Sequence, residues 1–368
     1  MLAGCNNKGK EQVEIGDLPK KTITIHPSDI TKEEIGDFFT LDSYIILSNK
    51  EVFGEIRRIV MVDSSIYILD HTSRFFCYDM TGHLKYIIDK RGQGPQEYLS
   101  IEDFGVDQLS NKLFIYDDLL RKLFIFDKNT GDYISEISTK YMLPEKMGII
   151  DGTFFFSCSD NRRVTTKKEQ RFHLFYSESG EKIDDYYLPH DAFAEFHFGL
   201  LKGYPFYYNE NKLFFNIPFD SRVYLLNREQ IDPLYDIYLP NQLPKKQIED
   251  KINHIDLVRS DYAYGLSNIF ETGQKLCFTF TKDGFYNTCF YDLTSDKVLF
   301  CGPRALGTAR KNVLFFSLIN GVYDGKFYAL VPPGEIIEKR ETHPEFFSED
   351  LMNISFGDNC VIAFYKVF

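Results

Sequence analysis

At 368 residues with a net charge of −12, the chain lacks the excess of Lys and Arg that general affinity for nucleic acid or an anionic membrane surface requires. Hydrophobic residues, at 43%, are ample for a core, while 24 Tyr and 35 Phe with no Trp, gathered in short apolar runs, suit pleated surfaces. An all-β chain is expected, and a repeat fold of this length commonly forms one unit.

The chain opens Met1-Leu2-Ala3-Gly4-Cys5, small residues before a Cys as in a bacterial lipobox. The expectation is a lipid on Cys5, with residues 1–20 as lipobox remnant and polar tether and residues 21–368 as a single domain. No other stretch is apolar enough to span a bilayer, so the membrane is reached through that anchor only. Six further cysteines, at 77, 158, 277, 289, 301 and 360, form no C-x-x-C pair, which leaves zinc by thiolate spacing unsupported. Most read as small buried thiols. Cys277 and Cys289 fall on strands expected to pair, where an oxidising envelope permits a disulfide.

In chain order, residues 13–40 are a polar arm crossing the surface, and Tyr44–Ser48 is a lone strand. Its expected partner is Cys360–Phe368, because a closed ring of blades loses its free edge only if the two ends of the chain complete one blade together. The first blade reads Arg57–Val62, Ile66–Leu69, Phe75–Tyr78 and Leu84–Ile88. The second has a strand ending at Asp107, then Leu113–Tyr116, Lys122–Phe126 and Tyr133–Ile137. Its landmarks repeat those of the first: Asp63 matches Asp107, Asp70 matches Asp117, Arg74 matches Arg121, Asp79 matches Asp127 and Gly82 matches Gly131. A third blade takes Met147–Ile150, Phe154–Ser157 and Phe172–Tyr176, and a fourth takes Tyr204–Tyr208, Leu213–Asn216, Val223–Leu226 and Leu234–Tyr238. Ile248, Ile252 and Ile255 at helical spacing predict one surface helix within Pro244–Leu257. A fifth blade follows over Tyr264–Ile269, Leu276–Phe280, Tyr286–Tyr291 and Val298–Phe300. The sixth has Leu314–Ile319 and Lys326–Val331, then an excursion, Pro332–Asp358. The fold class expected is therefore a six-bladed β-propeller of four-stranded antiparallel blades, closed by the N- and C-terminal strands.

The connector Gly92-Gln93-Gly94-Pro95-Gln96-Glu97-Tyr98, followed by F-G-V-D, L-F-I-Y-D and L-F-I-F-D-x-x-x-G, resembles an NHL-type repeat. More closely it is similar to the six-bladed propeller lipoproteins of Bacteroidetes, as are Asp220-Ser221-Arg222-Val223-Tyr224 and the ending Asp358-Asn359-Cys360-Val361-Ile362. The resemblance covers residues 44–368 and implies a propeller at the cell envelope, facing the periplasm or the cell surface. It implies almost nothing about chemistry.

Connectors between blades and the loops after each second strand share one face of a propeller. Aromatic and polar residues there are the candidate ligand contacts: Arg91, Gln93, Glu97, Tyr98, His197, Tyr204, Arg259 and Tyr262, for a glycan, a peptide or an envelope protein partner. The recurrent Asp and Arg of these loops read as structural caps, and Gly92 and Gly94 as turn residues needing positive φ. No G-x-S-x-G, H-E-x-x-H or P-loop is present, so no catalytic residue is assigned and no cofactor is expected. The alternative is a metal-dependent hydrolase or lyase holding calcium or another divalent ion in the funnel, with Asp63 and Asp107 as its weak ligand candidates.

Overall fold

The computed structural model describes residues 14–31, 38–139, 145–157, 172–189, 204–217, 219–250, 252, 254–303 and 318–368. An N-terminal arm carries β1 (Glu14–Ile15) and β2 (Lys21–Thr24) and is followed by β3 (Phe39–Ile46). The first sheet is β4 (Ile56–Val62), β5 (Ser65–Asp70), β6 (Phe75–Asp79) and β7 (Leu84–Ile88). The second is β8 (Asp103–Val106), β9 (Lys112–Asp117), β10 (Lys122–Asp127) and β11 (Tyr133–Ser138). The third is β12 (Lys146–Ile150), β13 (Thr153–Ser157), β14 (Phe172–Ser177) and β15 (Asp185–Pro189). Next come β16 (Phe206–Asn209), β17 (Lys212–Asn216), β18 (Arg222–Leu226) and β19 (Gln230–Tyr238), then helices α1 (Lys245–Glu249) and α2 (His254–Arg259). A further separate sheet is β20 (Tyr264–Thr272), β21 (Lys275–Lys282), β22 (Phe285–Asp292) and β23 (Lys297–Pro303). The chain finishes with β24 (Ile319–Tyr323), β25 (Lys326–Val331), α3 (Pro333–Thr342), α4 (Glu349–Met352) and β26 (Val361–Val367).

This is a propeller-like all-β fold built on four-stranded antiparallel sheets, four of which stand alone. Six separate blades are not present as such. The run β16 to β19 and the run β24, β25, β26, β3 merge into one ten-stranded sheet, because Asn209 and Val322 form a parallel bridge between β16 and β24. The second and third strands of each sheet are buried on both faces. β5 (S-I-Y-I-L-D) is buried throughout, so these strands read as continuous apolar runs rather than alternating ones. The fourth strand β11 has no buried residue, being exposed or half-buried along its length.

The two ends of the chain pair. β3 runs antiparallel to β26, Ile46 opposite Val361 and Phe39 opposite Val367, beginning earlier than the expected strand at Tyr44. The arm does more than cross the surface: β2 pairs in parallel with β19, Lys21 opposite Tyr235, and buries Ile23. Glu14 and Ile15 pair with Gln230 and Ile231, so the arm overlaps the tether expected over residues 1–20. Two further expectations change. The single surface helix is broken into α1 and α2, and the second starts in a new phase, so Leu257 is buried where Ile255 stays exposed. The last sheet starts at Ile319, with its hairpin at Asp324-Gly325, whereas most of the expected strand Leu314–Ile319 lies outside the described residues.

Neighbouring sheets meet where a glycine closes the turn before a fourth strand. A Cβ on Gly82 would lie 2.2 Å from the carbonyl oxygen of Ile46 on β3, and one on Gly131 would lie 2.5 Å from the Tyr86 ring on β7. Both have positive φ, so the turn and the close approach each demand glycine. The Asp that ends a second strand ties the preceding connector down. Asp70 accepts from the amides of Gly54, Thr72 and Arg74, and Asp117 from those of Leu99, Ser100 and Leu120. Burial alone would raise the Asp70 carboxyl, but the amides of Arg74 and Gly54, the Thr72 hydroxyl and the Arg74 charge hold it below the usual range.

Gly82→Ala should therefore cost about 2–4 kcal/mol, whereas Gly152→Ala, also at positive φ but with nothing within 4 Å, should cost about 1 kcal/mol. Urea unfolding of both variants checks the difference. Asp70 contributes stability that is complete above its unfolded pKa of about 4 and is lost as pH falls through its lower folded value. Asp70→Asn should cost about 1–3 kcal/mol at pH 7 and flatten the decline of stability with acid, read from unfolding midpoints between pH 7 and pH 2.

Candidate functional site

β4 places two adjacent arginines, Arg57 and Arg58, on a strand otherwise apolar, I-R-R-I-V-M-V. Beside it lies a cavity of about 520 Å³ enclosed by first strands of the sheets: Ile56 to Met61 of β4, Tyr204 to Tyr208 at β16, Gly265 to Phe270 of β20, and Asn320 and Val322 of β24. Tyr286, Thr288, Tyr328 and Asn216 from later strands complete the wall.

The two cations at this wall are held by groups behind it, and among the described residues Arg58 Nη2 is left buried without a hydrogen-bond partner. Arg58 is buried, and its Nη1 donates to Asp103 Oδ1 at 2.7 Å and to the Phe104 carbonyl. Its guanidinium lies 4.0 Å from the centre of the Tyr204 ring and 4.8 Å from that of Phe104. The other oxygen of Asp103 accepts from the Met147 amide at 2.6 Å and from the Tyr204 hydroxyl. Burial would lower the Arg58 pKa, but Asp103, Tyr204 and Tyr208 more than restore it, so the cation persists. Burial and then the neighbouring Asp103 carboxylate push Tyr204 well up, which keeps its hydroxyl a donor. Arg57 donates to the carbonyls of Ile101 and Glu102. Among the described lining residues, Arg57 and Arg58 are the charged side chains, and there is no carboxylate or imidazole.

What the wall offers a ligand is uncharged. Asn320 uses its oxygen on the Leu330 amide, and Asn268, at positive φ, gives its side-chain amide to Thr279. The half-exposed Tyr286 stands at the rim, and Tyr328 is buried in the wall with its hydroxyl pushed above the ordinary phenol range by burial.

Of the residues anticipated from sequence, Tyr204 is at this cavity. Tyr98 is not: it is fully buried, donates its hydroxyl to the carbonyls of Ser73 and Ile88 and accepts from the Lys90 amide, and burial raises it to about 12. A loop aromatic has become a pin between connector and blade. Glu97 accepts from the Gly94 amide, and a Cβ on Gly92 would fall 1.9 Å from its carboxylate. Gly92 thus provides room rather than positive φ, and the left-handed residue of this turn is Gln96. Arg91 and Gln93 are exposed beside it, with Arg91 bridged to Tyr98. Arg259 is exposed at the end of α2, and Tyr262 is half-buried against a small cluster around Leu257. His197 and Cys5 lie outside the described residues.

The metal candidates Asp63 and Asp107 do converge, but on an ammonium. Lys128 is buried and donates Nζ to Asp63 Oδ2 at 2.7 Å and to the Asp107 carbonyl at 3.0 Å. The Asp107 carboxylate caps its own turn through Leu109 and Ser110. The disulfide between Cys277 and Cys289 that their paired strands left open is absent. Cys277 is opposite Phe290 while Cys289 is opposite Phe278, so the two thiols point to opposite faces of the sheet.

Four-stranded antiparallel sheets whose first strands wall a largely apolar cavity define this as a propeller-like protein. A family model for a domain of unknown function, DUF4934, matches residues 31–366, and the chain belongs to that family. Its fold is similar to that of a putative exported protein from Bacteroides fragilis, with a TM-score of 0.74 at 19% identity over 94% of this chain and 99% of that one. It is also similar to a member of the DUF4221 family from Bacteroides vulgatus, with a TM-score of 0.50 at 9% identity over 89% and 97% of the two chains. At these identities the likeness is one of fold. No curated protein matches the chain.

Asp103→Ala strands a buried guanidinium and should cost about 3–5 kcal/mol, whereas Arg58→Met with Asp103→Leu together should cost less than the sum of the two single changes. A double-mutant cycle by denaturant unfolding checks this.

Proposed function

We propose that the chain is a six-bladed β-propeller that binds an uncharged oligosaccharide in its central cavity without transforming it, held at the cell envelope by a lipid on Cys5. The composition of the cavity wall carries this reading. Aromatic faces at Tyr204, Tyr207 and Tyr286 and amides at Asn268 and Asn320 match the apolar faces and hydroxyls of a sugar, while the guanidinium of Arg58 is already neutralised by Asp103. Most glycoside hydrolases place a pair of carboxylates at the substrate, and the described lining offers none, which favours binding over turnover.

The blade count rests on the ten-stranded sheet being two four-stranded runs joined at a single bridge. Ring closure is supported by the order in which first strands touch: β8 with β12, β12 with β16, β16 with β20, β20 with β24, and β24 with β4. The Arg58 to Asp103 pair spans the remaining step from β4 to β8. Gly82 of the first sheet also packs on β3 as Gly131 of the second packs on β7. The envelope location is supported by the L-A-G-C motif and by the likeness to a putative exported protein.

Calorimetric titration with a panel of neutral oligosaccharides, acidic oligosaccharides and peptides, with and without chelator, tests the ligand. Saturable, chelator-insensitive binding of a neutral glycan is expected, weakened about 3- to 10-fold by Tyr286→Ala. Binding confined to peptides, or release of cleaved product that chelator abolishes, would overturn it. Cys5→Ser should abolish incorporation of labelled fatty acid and release the protein from the membrane fraction. Retention of both would refute the anchor.

A further inference from the structure

We propose that Cys289 and Cys301 close into a disulfide across β22 and β23 when the chain folds under oxidising conditions. The two stand directly opposite one another in the antiparallel register, flanked by the pairs Thr288 with Gly302 and Phe290 with Phe300. Directly opposed residues of an antiparallel pair have Cα atoms about 4.5–5.5 Å apart, inside the span of about 4.4–6.8 Å that a disulfide bridges without backbone movement. Among the described residues the nearest competitor by strand pairing, Cys277, projects to the other side of the sheet.

Both thiols are completely buried, and the N-terminal arm closes over the site where the Thr31 amide donates to the Cys301 carbonyl at 2.7 Å. Oxidation must therefore precede the packing of the arm. One cysteine, as thiolate, attacks the disulfide of a thiol–disulfide oxidoreductase or of oxidised glutathione, forming a mixed disulfide and releasing the donor's second sulfur as thiolate. The other cysteine, having lost its proton, then displaces the first donor sulfur. The Cys289–Cys301 bond is formed, and the two electrons leave on the reduced donor, with the two protons shared between it and water. The inference depends on the envelope location for its physiological meaning and not at all on the ligand of the cavity.

The full chain, unfolded in denaturant and reductant, is refolded in glutathione redox buffer or in excess reductant, alkylated after denaturation, and mapped by mass spectrometry. Oxidative refolding is expected to yield a linked Cys289 and Cys301 peptide pair, with Cys77, Cys277 and Cys360 alkylated. The thermal midpoint should rise about 3–6 °C above that of the reduced protein. The Cys289→Ala, Cys301→Ala double variant should show neither the linkage nor the redox-dependent shift, and because the wild-type chain serves as its own reduced control the test survives if that variant folds poorly. Full alkylation of both cysteines after oxidative refolding, or linkage through Cys277, would overturn the inference. A bridge that forms in the tube while the protein from thiol-blocked native cells is reduced would count against the envelope location instead.

Discussion

The carboxylate of Asp103 is the point on which the interior of this molecule turns. It sits on β8 and accepts from Arg58 on β4, from the Met147 amide on β12 and from Tyr204 at the entry to β16, so one buried group reaches three neighbouring sheets. The chain of ties continues beyond it. Tyr208 accepts from the Ile149 amide, and Asn209 donates to the Ile269 carbonyl and accepts from the Glu271 amide. Among the described residues a backbone bridge, Asn209 with Val322, joins first strands of two runs, and side chains carry the other ties named here. An ionised carboxylate in such a place persists only because its partners compensate the loss of water.

That arrangement also shapes what the cavity is able to recognise. A guanidinium open to the cavity would make it a site for anions, but Arg58 is buried, its charge paired with Asp103 through Nη1 and its plane close to Tyr204 and Phe104, although its Nη2 has no hydrogen-bond partner. What remains available is hydroxyl, amide and aromatic surface. A ligand of the kind proposed would then be selected by shape and hydrogen bonding rather than by charge.

The strands were legible in the amino-acid order because blocks such as L-F-I-Y-D and L-F-I-F-D carry a strand and its closing Asp together. The pairing of β3 with β26 followed from the need to remove a free edge. The site was not legible in the same way. Arg58, Asp103 and Tyr204 are separated by 45 and 101 residues, and nothing local to any of them announces the others. The one available signal was two consecutive arginines on an apolar strand, a pattern that a buried ion pair explains better than a solvated face. Tyr98 misled because a connector aromatic is as often a pin as a contact. The cysteines misled by one residue of register, which is enough to turn a thiol to the opposite side of a sheet.

The arm that lays β1 and β2 along β19 has a consequence for self-association. β19 is nine residues long, and its outer row of amides and carbonyls would otherwise stand open to any extended segment of another copy. By occupying that row in parallel and burying Ile23 and Ile25 beneath it, the polypeptide supplies its own competitor for strand addition. Removing the segment from Glu14 to Ile25 would reopen that edge to strand addition.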